Sequence, residues 1–137
     1  MNYFKLEELV DRKTFDQMGM DCWKLFPMNA LTMLENVREF FGVPIIVNNW
    51  HKGGKYSHRG YRPKNCPEGP NHLAQRTGHA FIIDVRNHTA EKARKRILAE
   101  QNHPLLTFIT KIEDTNKYLY IDCTKLKLFQ KRILLFK

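Results

Sequence analysis

Apolar positions along the chain follow two periods, separated by long polar stretches. Over Met28–Phe41, Ala30, Leu31, Leu34, Val37 and Phe41 fall three or four residues apart, which gathers them on one face of a helix. Gly42 ends that helix and Pro44 bars its continuation. A second stripe follows Thr89, a good N-cap. Ala90, Ala93, Ile97 and Leu98 share one face and Lys92, Arg94, Lys95 and Arg96 the other, so a helix is expected from Ala90 to about Gln101. Near the start, Leu6, Leu9 and Val10 share a face, Asp11 can cap the residues after it, and Gly19 stops them. One or two short helical turns are expected over residues 4–19, with Trp23, Leu25 and Phe26 as an apolar knot before Pro27.

Elsewhere the period is two. In Ala80–Val85, Phe81, Ile83 and Val85 alternate with Ala80, Ile82 and Asp84. The first set reads as a core face, so the second should line something else. Pro44–Asn48 is rich in β-branched residues and reads as a buried strand. Leu106–Ile112 and Lys117–Cys123 flank the turn residues Asp114-Thr115-Asn116 as a hairpin, and Leu126–Phe136 reads as an edge strand or a packed tail.

Residues 49–71 have no period at all. They are rich in Gly, Pro, Lys and His, and a loop of that length within a compact domain is usually functional or mobile. It carries Trp50, His51, Lys52, Lys55, Tyr56, His58, Arg59, Tyr61 and Arg62. Rings can stack on a flat ligand and guanidinium groups pair with phosphate, so the mixture suits an anionic, flat-ringed ligand. A surface loop pinned to the core by its aromatics accounts for the same residues equally well.

Composition narrows the picture. A chain of 137 residues with 42% apolar and 12% aromatic content suits one folded domain, taken here as residues 1–137. Its 23 Lys and Arg against 14 Asp and Glu give +9, which favours acidic partners or a solvated basic surface. Cys22, Cys66 and Cys123 are too few for a disulfide framework. No secretory leader and no membrane-spanning stretch is visible, so a cytoplasmic protein without a membrane partner is expected. Cys66 or Cys123 with a histidine lacks the setting of a nucleophile, and Gly53-Gly54-Lys55 lacks the strand-to-helix context of a phosphate-cradling loop.

Taken in order, a strand, then Asn48-Asn49-Trp50, Gly53-Gly54 and Arg59-Gly60-Tyr61-Arg62-Pro63, then Gly78-x-Ala80, then a hairpin ending Tyr118-Leu119-Tyr120-Ile121-Asp122 form a recognisable series. From roughly Phe4 to Thr124 it resembles the phage-encoded D-alanyl-D-alanine carboxypeptidase-like zinc peptidases. The resemblance implies a small α+β domain of the hedgehog/DD-peptidase type, with an antiparallel sheet and helices packed on one side. In that family Ser-x-His-x-x-Gly-x-Ala-x-Asp is followed by Trp-x-His-x-Asp. Two histidines and the first aspartate hold zinc, and a water on the open position attacks a peptide bond. Set on Gly78 and Ala80, the serine falls at Leu73, the first histidine at Gln75, the aspartate at Ile82 and the second histidine at Tyr120. The acidic general base falls at Lys117.

Gln is a poor zinc ligand, Ile is none, and neutral Tyr seldom serves. The surrounding Arg59, Tyr61, Arg62, Gly78, Ala80 and Asp122 are kept. The expectation is therefore a non-catalytic, peptidase-derived phage protein with no catalytic residue, metal or cofactor, binding a small anionic ligand in the former cleft. Arg59, Arg62 and Lys117 would supply charge, Trp50, Tyr61 and Tyr120 stacking or hydrogen bonds, and Gln75 would read a polar edge. Such a protein in the host cytoplasm suits sequestration of a nucleotide immune signal. Two alternatives stand beside it. One is a zinc-dependent peptidoglycan peptidase, endolysin-like, with a shifted site using His72, Asp84 or Cys66. The other is a virion, cell-wall or nucleic-acid interaction protein, nucleic acid being the less favoured partner.

Overall fold

A computed structural model describes residues 1–68, 72–125 and 132–137. Its helices are α1 (Arg12–Met18), α2 (Met28–Phe41), α3 (Leu73–Arg76) and α4 (Ala90–Ala99), with short 3-10 turns at Leu6–Glu8, Gly19–Leu25, Trp50–Lys52 and Pro104–Leu106. Its strands are β1 (Ile45–Ile46), β2 (Ala80–Val85), β3 (Lys111–Glu113), β4 (Leu119–Asp122) and β5 (Leu134–Phe136). The domain is α+β. Among the described residues no helix is long and apolar enough to cross a membrane.

The caps fall where the side chains allow. Asp11 accepts from the Thr14 backbone N–H at 3.1 Å and Thr89 from that of Lys92 at 3.1 Å, each satisfying a donor that the first helical turn leaves without a partner. From α2, Ala30, Met33, Leu34, Val37 and Phe41 are buried, and from α4, Ala93 and Ile97. They pack with Phe81, Ile83 and Val85 of β2, Ile112 of β3, and Leu119 and Ile121 of β4. The alternation of β2 is thus divided as expected. Ala80 and Ile82 face the other way and join Tyr120, Ala74, Tyr118 and Phe136 in a second, smaller cluster.

The sheet runs β1-β2-β4-β3-β5, and it is mixed rather than antiparallel. β1–β2, β2–β4 and β3–β4 are antiparallel, whereas β3–β5 is parallel. Register explains the difference. Asp122 at the end of β4 lies beside Lys111 at the start of β3, and β5 begins with Leu134 beside that same Lys111. The chain therefore enters β5 at the end where β3 begins, and the two run together. The helices do not all share one side: α3 lies on the second face, where Ala74 touches the smaller cluster. Its four residues carry too little apolar surface for a core helix.

Three strand boundaries also move. β1 stops at Ile46. The Asn48 backbone N–H turns away to Glu8 O at 2.9 Å, and its side chain donates to Val10 O at 3.0 Å. Residues 104–110 are not strand, because Pro104 opens a 3-10 turn in which His103 Nδ1 accepts from Leu105 N–H at 3.0 Å. Of the expected segment Leu126–Phe136, residues 126–131 lie outside the described residues, and Leu134–Phe136 form the edge strand β5.

Candidate functional site

The long loop is fastened along its middle. Ile82 N–H, on the open edge of β2, donates to Arg59 O at 2.7 Å. Gln75, wholly buried on α3, directs its amide nitrogen to three successive carbonyls: His58 O at 3.2 Å, Arg59 O at 3.0 Å and Gly60 O at 2.8 Å. Arg62 N–H returns to Gln75 O at 3.1 Å, Tyr61 N–H reaches Leu9 O at 2.8 Å, and Arg59 N–H reaches Asn48 Oδ1 at 2.9 Å. A Cβ on Gly60 would stand 2.2 Å from Leu9 O, so only glycine allows this approach. Two of the aromatics in the loop make contacts that pin it to the scaffold. Trp50 Nε1 donates to Val10 O at 2.8 Å beside Phe15, and Tyr61 packs edge-on against Phe26.

This fastening shapes a cleft of about 390 Å³ between the loop and the second sheet face. Lys55, Arg59 and Arg62 border it with Tyr56, Tyr118 and one carboxylate, Glu68, and the buried Ile82 forms its floor. The Arg59 guanidinium lies 3.5 Å over the Tyr56 ring, and its Nη1 is 2.9 Å from Asp84 Oδ1. Arg62 is 7% exposed, and its Nε donates to His58 O at 2.9 Å.

His72 forms the partition behind this cleft. It holds a left-handed backbone, φ 60°, and its ring stacks on Tyr120 with centroids 4.4 Å apart. Its Nε2 contacts Glu113 Oε1, and Tyr118 Oη donates to Glu113 Oε2 at 2.7 Å. Beyond His72 lies a second concavity of about 770 Å³, bordered by Tyr120, Asp122, Leu134 and Phe136. There Tyr120 Oη donates to Asp122 Oδ2 at 2.9 Å, and Asp122 Oδ1 accepts from Thr124 N–H at 2.6 Å.

Burial, and then the bond to Glu113, push the Tyr118 phenol up to about 12. The fold therefore holds this proton more tightly than the unfolded chain does. That contribution is complete below the phenol's ordinary value of 10.0 and is lost as pH rises through about 12. Tyr118→Phe is expected to flatten the alkaline limb of stability against pH, measured by urea denaturation at several pH values from neutral upward. An unchanged alkaline limb would count against this.

The positions that the resemblance assigns to zinc ligands do converge. Ile82 and Tyr120 are direct cross-strand neighbours, and the Gln75 amide shares Arg59 O with Ile82 N–H. Their chemistry does not fit zinc. The Gln75 amide nitrogen is bound to the loop and its remaining donor, a neutral amide oxygen, is a weak zinc ligand; Ile82 offers no donor, and the Tyr120 hydroxyl is committed to Asp122, its pKa raised by burial and by that carboxylate. Lys117, at the general-base position, is exposed and borders neither concavity. Arg59 and Arg62 are the expected ligand residues that meet in the cleft, while Tyr120 faces the second concavity.

The groups considered for a shifted metal site are parted. Asp84 pairs with Arg59, His72 with Glu113, and Cys66 joins His58 and Glu68. His58 Nδ1 is 2.8 Å from Glu68 Oε2, and Cys66 Sγ donates to Glu68 Oε2 at 3.0 Å. Burial, then the bond to Glu68, raise the Cys66 thiol above its usual range. Glu68, Tyr118 and Glu113 were not singled out by the sequence. The signal available was Cys66-x-Glu68 within the histidine-bearing loop, and Glu113 and Tyr118 flanking one turn. Comparison of the chain with protein-family models, with curated proteins and with solved structures returned no match.

Proposed function

We propose that this protein is a non-catalytic relative of the D-alanyl-D-alanine carboxypeptidase-like peptidases, and that the basic cleft binds a small anionic ligand. The observation that carries the reading is the gathering of Lys55, Arg59 and Arg62 around one concavity of about 390 Å³. Its floor is Ile82, where a peptidase would need a carboxylate. A volume of this order suits a small molecule rather than a polymer. Arg62 is largely withdrawn from water, and an anion reaching it is attracted more strongly than one at a fully solvated cation. Arg59 is balanced by Asp84, whose carboxylate is half exposed, so that pair is weak enough for a phosphate to compete. The guanidinium already covers one face of Tyr56, which leaves this pair as a cationic, planar surface for a nucleobase or phosphate. The finer reading is a nucleotide, and for a phage protein the sequestration of a host nucleotide signal.

A panel of inorganic phosphate, nucleoside mono- and diphosphates and cyclic dinucleotides, read by thermal shift at low salt, tests this. A ligand at a hundredfold excess over its Kd should stabilise the fold by about 2.7 kcal/mol. Arg62→Ala and, as a less buried partner, Arg59→Ala should each remove most of the shift. If no anion in the panel raises Tm, the reading fails.

A further inference from the structure

We propose that His58, Cys66 and Glu68 form a binding site for a zinc-type divalent cation, distinct from the positions at which the related peptidases keep theirs. The donor atoms Nδ1, Sγ and a carboxylate oxygen all lie within 4.8 Å of one another. A tetrahedral zinc ion with ordinary bond lengths separates neighbouring donors by ~3.3–3.6 Å. The observed 2.8 Å from His58 to Glu68 and 3.0 Å from Cys66 to Glu68 fall short of that by roughly half an ångström. A shift of the Glu68 side chain, which is 48% exposed, lengthens both contacts, and the His58 and Cys66 donors, within 4.8 Å of each other, close to a zinc edge by turning about their own side-chain bonds.

The histidine is already set for a ligand. Its Nδ1 is buried and, among the described residues, has no aligned hydrogen bond, although Glu68 Oε2 is close. A buried ring nitrogen 2.8 Å from a carboxylate oxygen is a donor that a cation shared with that carboxylate would satisfy. The backbone behind it is fixed, since His58 O accepts from both Arg62 Nε and Gln75 Nε2. Such outer support is what holds metal ligands in place.

Donor chemistry selects the ion. Sulfur with imidazole and one carboxylate disfavours magnesium and calcium, which take oxygen shells, and favours zinc or cobalt. On binding, the Cys66 S–H bond gives way to a sulfur–metal bond and its proton leaves to solvent. Three protein donors leave a fourth position, and His58 and Glu68 both border the cleft. A cation there would also cancel Glu68, the acidic residue among those described at the cleft's border.

Cobalt titration of the protein, prepared without a histidine tag, reads this directly and independently of any anion. One equivalent of Co²⁺ should give a thiolate-to-cobalt charge-transfer band in the near ultraviolet and the visible bands of a tetrahedral ion, both bleached by Zn²⁺. Cys66→Ser should lose the charge-transfer band, and Glu68→Gln, at an exposed position, should weaken binding by about tenfold or more. His79→Gln, a histidine outside this cluster, should leave the spectrum unchanged. Zinc should also raise the Tm of the wild-type protein at stoichiometric amounts, a readout that needs no variant. Absence of the band at stoichiometric cobalt, or its survival in folded Cys66→Ser, overturns the proposal. A negative anion panel with a positive cobalt spectrum would leave the metal site standing and remove only the anion reading.

Discussion

Gln75→Leu is expected to destabilise the protein by about 2–4 kcal/mol, although it keeps nearly the same volume in a wholly buried site. The cost depends on which carbonyls lose their last donor. His58 O still accepts from Arg62 Nε at 2.9 Å, and Arg59 O from Ile82 N–H at 2.7 Å, so each keeps one bond. Gly60 O accepts from Gln75 at 2.8 Å, and among the described residues no other donor to it is seen. Leaving that one buried carbonyl unpaired costs about 1–3 kcal/mol, and weakening the other two adds about 0.5–1.5 kcal/mol each. Removing the buried and unpartnered Gln75 Oε1 offsets part of this. Urea denaturation gives the total, and amide exchange at Tyr61 and Arg62 should quicken because the loop loses its anchor. A variant as stable as wild type would mean that the loop is held elsewhere. A histidine at the same position donates through at most two ring nitrogens pointing apart, so Gln75→His should fail to hold three adjacent carbonyls as well.

That residue also marks where sequence reading stops. Glutamine at a position where a zinc peptidase has histidine invites a role at the ligand, because nothing nearby in the chain needs an amide. Its three acceptors lie fifteen to seventeen residues earlier and are brought up only by folding. Trp50 and Tyr61 could be read two ways from the sequence, as ligand platforms or as pins that hold the loop to the core. The folded chain shows the pinning contacts, Trp50 Nε1 to Val10 O and Tyr61 edge-on to Phe26, both made with distant segments. Arg59 and Arg62 are close in the chain, so the sequence names both, but bonds to Asn48, Leu9, Gln75 and Ile82 are what bring them to one cleft. His58, Cys66 and Glu68 share one stretch of loop, yet spacing alone could not bring three donors to one point in a segment without period.

The scaffold follows the same division between local and distant causes. α2 begins and ends at the residues that periodicity, Pro27 and Gly42 indicate, and β2 divides its faces as alternation requires. These signals are complete within the segment. β1 is cut short by Asn48, whose partners belong to Glu8, Val10 and Arg59. The direction of β5 depends on which end of β3 the chain reaches, a register that no local pattern encodes. Leu106 and Ile109 are buried as expected of apolar residues, but their spacing of three serves a turn as well as a strand.

Gly78→Ala should cost more than any other single methyl added to the described glycines, about 2–5 kcal/mol out of a total stability of about 5–15 kcal/mol. Two penalties combine there. The backbone sits at φ +75°, where a side chain is disfavoured by about 1–2 kcal/mol. The new Cβ would also stand 2.1 Å from Leu25 O and 3.0 Å from Phe26 Cα, and intrusion into packed structure adds about 1–3 kcal/mol. Both contacts are backbone, so no rotamer change relieves them. The strain would reach the site, because Phe26 stacks on Phe81 at 5.8 Å and Phe81 is the second residue of β2. Displacing that stack shifts Ile82, the cleft floor, and the edge that receives Arg59 O. Gly60→Ala separates the two penalties: its Cβ would meet Leu9 O at 2.2 Å, but its φ is not left-handed. It should therefore lose only the packing share, about 1–3 kcal/mol. Denaturation midpoints of the two variants decide the matter. If Gly78→Ala is no less stable than Gly60→Ala, the left-handed turn at the head of β2 is not where the strain lies.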